Sequence, residues 1–440
     1  MRRIAIVMMV LCPSAALAQG SDWTKFLGPL GTSVSTEKGI TPWPKDGPKI
    51  LWQKELGPGY GMPVIAKGKL YQFDRNGKNL RLTCMNARTG ERIWDFEYLS
   101  VYKDQFGYNT GPRCCPIVDG DHVYTYGVEG MIYCLRADTG KQVWHFDTVQ
   151  GFNVIQNFFG VGSTPVIEGD LLICQVGGSP PGSTVRELYE QKLKGNGSGI
   201  VAFNKLTGKI AYKISDELAS YASPVLATIN NRRYCFMLAR GGLVAFEPST
   251  GKIDFRHPFR CDDVESVNAS NPVVVGDKVF ISECYGIGSA LIKIKPGGYD
   301  VVREESNKFK KSMAIHWMTP IYHEGFLYGC SGRHTQNASL RCIEFETGKV
   351  VWDERGDLKR CSLLMVDGHF ICLSEDGVLR LLKVNPNKYE EVSTVELRDP
   401  RSRQPLLEYP CWAAPILSHG LLYVRGEERL VCLELIPQKK

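Results

Sequence analysis

The chain has 440 residues, of which 45 are glycine, and a formal net charge of +6. That length allows a large core, and the glycine content suits a turn-rich β protein. Its basic residues are scattered and no nucleic-acid-binding signature is present, so a nucleic acid partner is not expected.

The first eighteen residues have the form of a signal peptide. Arg2 and Arg3 precede a short apolar run, and Ala16-Leu17-Ala18 forms an A-x-A cleavage site. Cleavage after Ala18 and export to the periplasm or beyond are expected. Leu11 precedes Cys12 where a lipoprotein signal wants a small residue. No later apolar run is long enough for a transmembrane segment. Residues 19–47 read as an irregular Gly/Pro-rich segment, and residues 48–437 as a single domain.

The central unit is a turn followed by a strand, typified by Asp138-Thr139-Gly140-Lys141-Gln142-Val143-Trp144. Asp and Thr can hydrogen-bond the turn backbone, and Gly supplies a positive φ. An aromatic residue follows each such glycine at a fixed offset: Trp94, Trp144, Tyr212, Phe255 and Trp352 after Gly90, Gly140, Gly208, Gly251 and Gly348. Each period opens at a proline: Pro63, Pro116, Pro165, Pro224, Pro272, Pro320 and Pro415, with Leu364 in the equivalent place. Four short strands per period predict an all-β, eight-bladed β-propeller of four-stranded antiparallel blades. The last period has only three strands, and the orphan strand at 50–56 is predicted to supply its fourth, closing the ring.

The outer-strand aromatics are predicted to dock on the next blade's Thr-Gly turn. Blades five and seven lack that turn, and Tyr299 and Tyr389 are the substitutes expected there. Cys84, Cys134, Cys342 and Cys432 occupy one repeat position and read as small buried hydrophobes. No C-x-x-C pair supports a zinc site. Two insertions stand out, at 149–161 and, within blade three, at 177–199. The second has helical spacing over 184–193 and reads as a lid, a partner arm or a solvated excursion.

Residues just before each opening position should converge at one mouth of the channel. They are Tyr60, Tyr108, Asn109, Arg113, Tyr221, Asn268, Asn271, His316, Trp317, Arg360 and Trp412, with Glu265 and Glu408 preceding two of the starts. Such a funnel would suit a small polar ligand or a peptide. Each member alone has an ordinary structural role; the convergence motivates the site. No Ser-His-Asp set, phosphate loop or paired-carboxylate motif can be defended from spacing.

The Thr-Gly-Lys turn with its aromatic, residues 23–29 (WTKFLGP), Gly111-Pro112-Arg113 and Tyr221-Ala222-Ser223-Pro224 resemble the pyrroloquinoline quinone (PQQ) repeat propellers. The nearest resemblance is to secreted PQQ-like propellers of planctomycete-type bacteria. The superfamily includes quinoprotein alcohol dehydrogenases and the propeller lipoprotein of the outer-membrane β-barrel assembly machinery. For a dehydrogenase, the resemblance implies PQQ at the ring centre with Ca²⁺, an Asp base, an Arg on the quinone and a disulfide of adjacent cysteines. Cys114-Cys115 is an adjacent pair, Arg113 would polarise the quinone, and Glu265 or Glu408 would bind metal or take a proton. No calcium-ligand set or Asp base motif accompanies them. The leading expectation is an exported binding or scaffolding protein of the periplasm or cell envelope. The alternatives are a PQQ- and Ca-dependent alcohol or sugar dehydrogenase and an outer-membrane assembly subunit.

Overall fold

The structure is a computed structural model that describes residues 20–305 and 310–437. The expected signal peptide and its cleavage site lie outside the described residues. Eight sheets form the ring, and in seven of them the four antiparallel blade strands follow one another along the chain. Blade one is Val64–Ala66, Lys69–Asn76, Asn79–Asn86 and Arg92–Leu99. Blade eight is built from Ile416–Ser418, Leu421–Arg425 and Arg429–Glu434, and its outer strand is Lys49–Glu55. The ring is therefore closed by pairing the N-terminal strand with the last strand of the chain, which leaves no open blade at the seam.

In seven blades the inner strand begins one residue after the opening proline. Proline lacks a donor and fits the start of a strand that faces the channel. Blade seven carries Leu364 instead, and its inner strand extends back to Cys361. A fifth strand, Val34–Ser35, pairs in parallel with Met365 and Val366 on the channel side. Upstream, Trp23 exchanges hydrogen bonds with Ile65 of blade one (2.9 and 2.8 Å), and Val118 of blade two donates to the Thr24 carbonyl (2.9 Å). The segment read as irregular thus crosses the channel from blades one and two to blade seven.

The aromatic repeat holds neighbouring blades together. Trp94 Nε1 donates to the Ala137 carbonyl of blade two (3.3 Å), Trp144 to Lys205 of blade three (2.8 Å) and Trp352 to Asn385 of blade seven (3.0 Å). Trp52, on the closing strand, does the same to Ala87 of blade one (3.1 Å). The register of each outer strand slips just before its aromatic, so a β-bulge aims the ring at the next turn. The residue directly opposite is small: Cys84, Cys134, Cys342 and Cys432 face Trp94, Trp144, Trp352 and Trp52, while Ala202 and Ala245 face Tyr212 and Phe255. The repeated cysteine is the space into which the aromatic fits.

The two expected substitutes do something else. Tyr299 packs back on Phe255 of blade four, with ring centroids 4.7 Å apart, and Tyr389 packs back on Trp352 of blade six at 6.2 Å. Each lies right after its variant turn, Tyr299 at the start of the outer strand and Tyr389 two residues before it, where it receives the preceding blade's aromatic. The forward contact from blade five is made by Arg303, which covers Gly348 and donates to the Phe345 carbonyl (3.4 Å). No helix among the described residues is long and apolar enough to cross a membrane.

Candidate functional site

The central channel contains a cavity of about 300 Å³. Phe26, Leu27 and Ser33 of the crossing segment line it on the side where the inner strands end, and residues just before the inner strands line the other side. Of the residues selected from sequence, Tyr60, Tyr108, Arg113, Cys115, Tyr221, His316, Trp317, Arg360 and Trp412 face this cavity. The remainder do not line it. Asn268 is buried and donates to the Ala239 and Phe259 carbonyls, and Asn271 accepts from the Ser223 N–H, so both brace the joint between blades four and five. Asn109 donates to Glu427 (2.9 Å). Just before the inner strand of blade two, Cys114 is buried in the core between blades two and three while Cys115 lines the channel cavity. Both are free thiols. Glu265 sits at the rim on Arg333 (3.4 Å), and Glu408 is exposed.

Arg360 and Glu375 anchor one wall. The guanidinium meets the carboxylate at 2.6 Å, and both side chains are largely buried. Thr335 and the Trp412 indole also donate to Glu375, at 2.8 and 3.2 Å. The same guanidinium lies 4.6 Å from the ring centre of Trp317 and 5.3 Å from that of Trp412. Trp412 then touches Tyr60, Trp317, Tyr108 and Tyr409, with centroids 4.9 to 5.9 Å apart. The Trp317 indole N–H is buried with no hydrogen-bond partner.

On the opposite side Asp104 organises the loop between blades one and two. It accepts from the N–H groups of Phe106 and Tyr108 (2.8 and 3.0 Å) and from Arg113 (3.0 Å). Arg113 in turn lies 5.4 Å from the ring centres of Tyr60 and Tyr102. Arg333 stacks on Tyr285 at 4.3 Å. Burial, with Arg360 and Arg333 close by, holds His316 down at about 3, so its imidazole is neutral in ordinary buffers. A guanidinium can only donate, so Nδ1, 3.5 Å from Arg360, accepts and Nε2 carries the proton toward Tyr285 Oη.

Arg333, Tyr285 and Glu375 escaped the sequence reading because they lie in turns between second and third strands. Antiparallel alternation returns those turns to the same mouth as the starts of the first strands. Continuing the alternation by one strand would have found them.

The fit of a calcium–quinone pair can be judged from the donors present. Calcium takes six to eight oxygen ligands. Asp104 and Glu375, the carboxylates packed behind the cavity wall, are each committed to an arginine. No group of three or more His, Cys, Asp or Glu suited to a metal occurs among the described residues. Arg113 and the stacked aromatics could face a flat anion, but the calcium half of the pair has no ligand set here.

An eight-bladed ring, tied by tryptophans on Thr-Gly turns and carrying one central pocket, defines the class of PQQ-repeat propellers. The chain belongs to the family whose profile is described as outer membrane protein assembly factor BamB, which matches residues 43–174 and 78–354. Among curated proteins, it is 33% identical over 90 residues to the quinohemoprotein alcohol dehydrogenase ADH-IIG of Pseudomonas putida, covering 20% of this chain and 12% of that protein. It is 30% identical over 112 residues to the quinohemoprotein alcohol dehydrogenase of Comamonas testosteroni, covering 23% and 14%. The matches therefore span only a small part of those relatives' length. Among solved structures, BamB from Moraxella catarrhalis superposes with a TM-score of 0.58 at 12% identity, over 89% of this chain and 99% of that one. The Comamonas testosteroni enzyme gives 0.66 at 13%, over 97% and 82%. At these identities the superpositions establish the fold.

Proposed function

We propose that the protein is an exported binding protein of the periplasm or cell envelope, whose channel pocket takes a small ring-bearing ligand rich in hydrogen-bond acceptors. The observation that carries this reading is the wall formed by Arg360, Trp317 and Trp412. Flat faces are offered by Trp412, Tyr60 and Trp317, and donors by Arg113, Arg333 and Arg360. The carboxylates behind them are spent on holding the arginines. A pocket of this kind binds by stacking and donation.

The test is a titration of tryptophan fluorescence with a panel of aromatic carboxylates, hexuronates and neutral hexoses. Saturable binding of the acceptor-rich rings is expected, with loss of at least tenfold in affinity for Arg360→Met and Trp412→Ala. Absence of binding across the panel, or binding unchanged in both variants, would contradict the proposal.

A second reading is a subunit that docks other envelope proteins. It is supported by the family match and by exposed apolar residues near the mouth, among them Val101, Leu99, Phe106 and Tyr409. Affinity purification from envelope extracts checks it, and recovery of a barrel-assembly protein would favour it.

A further inference from the structure

Arg240 lies in the turn between strands Arg232–Leu238 and Gly242–Phe246 of blade four and is 3% exposed. Its Nη1 donates to Asn157 Oδ1 (2.7 Å) and its Nη2 to the Val264 carbonyl (3.0 Å). The ring of Phe158 lies 5.2 Å away. None of these partners carries a charge. Two comparably buried arginines are ion-paired, and a third, Arg425, donates only to backbone carbonyls but has carboxylates near it. Arg360 meets Glu375 at 2.6 Å, Arg380 meets Glu391 at 3.4 Å, and Arg425 has Asp74 and Glu427 nearby. Among the described residues no carboxylate pairs with Arg240. The charge that acts on it most is Arg260, a second guanidinium, one of whose terminal nitrogens is buried without a hydrogen-bond partner; Glu217, Asp262 and Asp263 lie near Arg260, and Glu217 accepts from the Gly241 N–H (3.0 Å), but none of them pairs with Arg240.

A buried charge can be relieved by neutralisation or by a counter-charge. Neutralisation fails here. Burial, then the repulsion of Arg260, pushes Arg240 down only to about 10, which leaves it a cation near neutral pH. A small cavity of about 30 Å³ opens against Arg240. Asn157, Ser163, Gln175 and Ser220 give it polar walls, and Leu188 and Leu193 of the 177–199 insertion contribute apolar ones. That space holds about two waters or one monatomic anion.

We propose that this cavity is a binding site for a small inorganic anion of chloride size, which serves as the counter-ion of Arg240. The insertion is then neither a lid on the central pocket nor a free excursion; it is a cover for the anion. The site also reaches the pocket indirectly. Asn157 and Phe158, which hold Arg240, directly precede Phe159, and Phe159 lines the central cavity. An occupied anion site would steady that wall. This inference rests on the charge of Arg240 and does not depend on the ligand proposed for the channel.

The experiment uses the full mature chain, with chloride replacing gluconate at constant ionic strength. Thermal unfolding of the wild type should show a saturable rise of a few degrees with chloride, and Arg240→Met should show none. A crystal soaked in bromide should give an anomalous peak beside Arg240. A wild-type melting temperature indifferent to chloride, or a bromide-soaked crystal without that peak, would mean a water-filled cavity and overturn the proposal. If Arg240→Met does not fold, the bromide measurement on the wild type decides alone.

Discussion

Glu375 carries more of the pocket's geometry than any residue picked from the sequence. It fixes Arg360, Trp412 and Thr335 at once. Burial acts to raise its carboxyl, but the bonds from Arg360, Thr335 and Trp412 outweigh this and hold it below the usual range. A carboxylate depressed in the folded state adds stability above its ordinary value of about 4.3, and that stability is lost as pH falls through the folded value. Wild-type stability should therefore fall more steeply below about pH 4 than that of Glu375→Gln. At neutral pH the substitution leaves Arg360 without its counter-charge and should cost about 3–5 kcal/mol, read from urea unfolding. His316 gives a second test. Because its folded value lies near 3, its imidazole resonances should not titrate between pH 8 and 5. Between about 6.5 and the folded value the unfolded chain binds the proton that the folded chain refuses, so this group lowers stability as pH falls. A midpoint near 6 in the NMR titration would show that His316 is not buried against the arginines.

At the scale of the element, the docking of aromatic on turn is the unit that repeats. Gly140 has φ of 72°, and a Cβ there would lie 2.5 Å from the Trp94 ring. Gly120 has φ of 57° and nothing within 4 Å. Gly120→Ala should cost about 1 kcal/mol for its backbone alone, and Gly140→Ala on the order of 3 kcal/mol or more because Trp94 must move. Equal costs would show that the turn is not a docking seat. This unit was legible in the sequence because turn chemistry and an aromatic at fixed offset are local signals. What Tyr299 and Tyr389 do was not legible. Whether a ring packs forward or back depends on the bulge and on which strand end it occupies, and neither leaves a mark in composition. Arg303 could not be singled out either, since an arginine on an outer strand ordinarily faces water.

For the whole molecule, the number of blades and the closing strand followed from counting, because three terminal strands require a fourth. The path of residues 20–47 did not, since a Gly/Pro-rich run has no periodicity; its place is set by edges left free on blades one and seven. Part of the pocket was foreseen because first-strand starts must converge. Its missing members lie on the second-to-third turns, where no proline marks the place. Trp52→Ala removes the indole that seals blade eight to blade one and should cost about 3–5 kcal/mol, with limited proteolysis then cutting first near the seam. Little change in either readout would mean that strand pairing alone closes the ring. The proposed function requires that the channel bind its ligand directly through arginines and aromatic faces, without calcium. The measurement that tests it is a titration of the purified protein with PQQ, with and without Ca²⁺, followed by visible absorbance and by dye reduction with alcohols and sugars. No calcium-dependent binding and no turnover are expected. Saturable, calcium-dependent uptake of PQQ with dye reduction would contradict it.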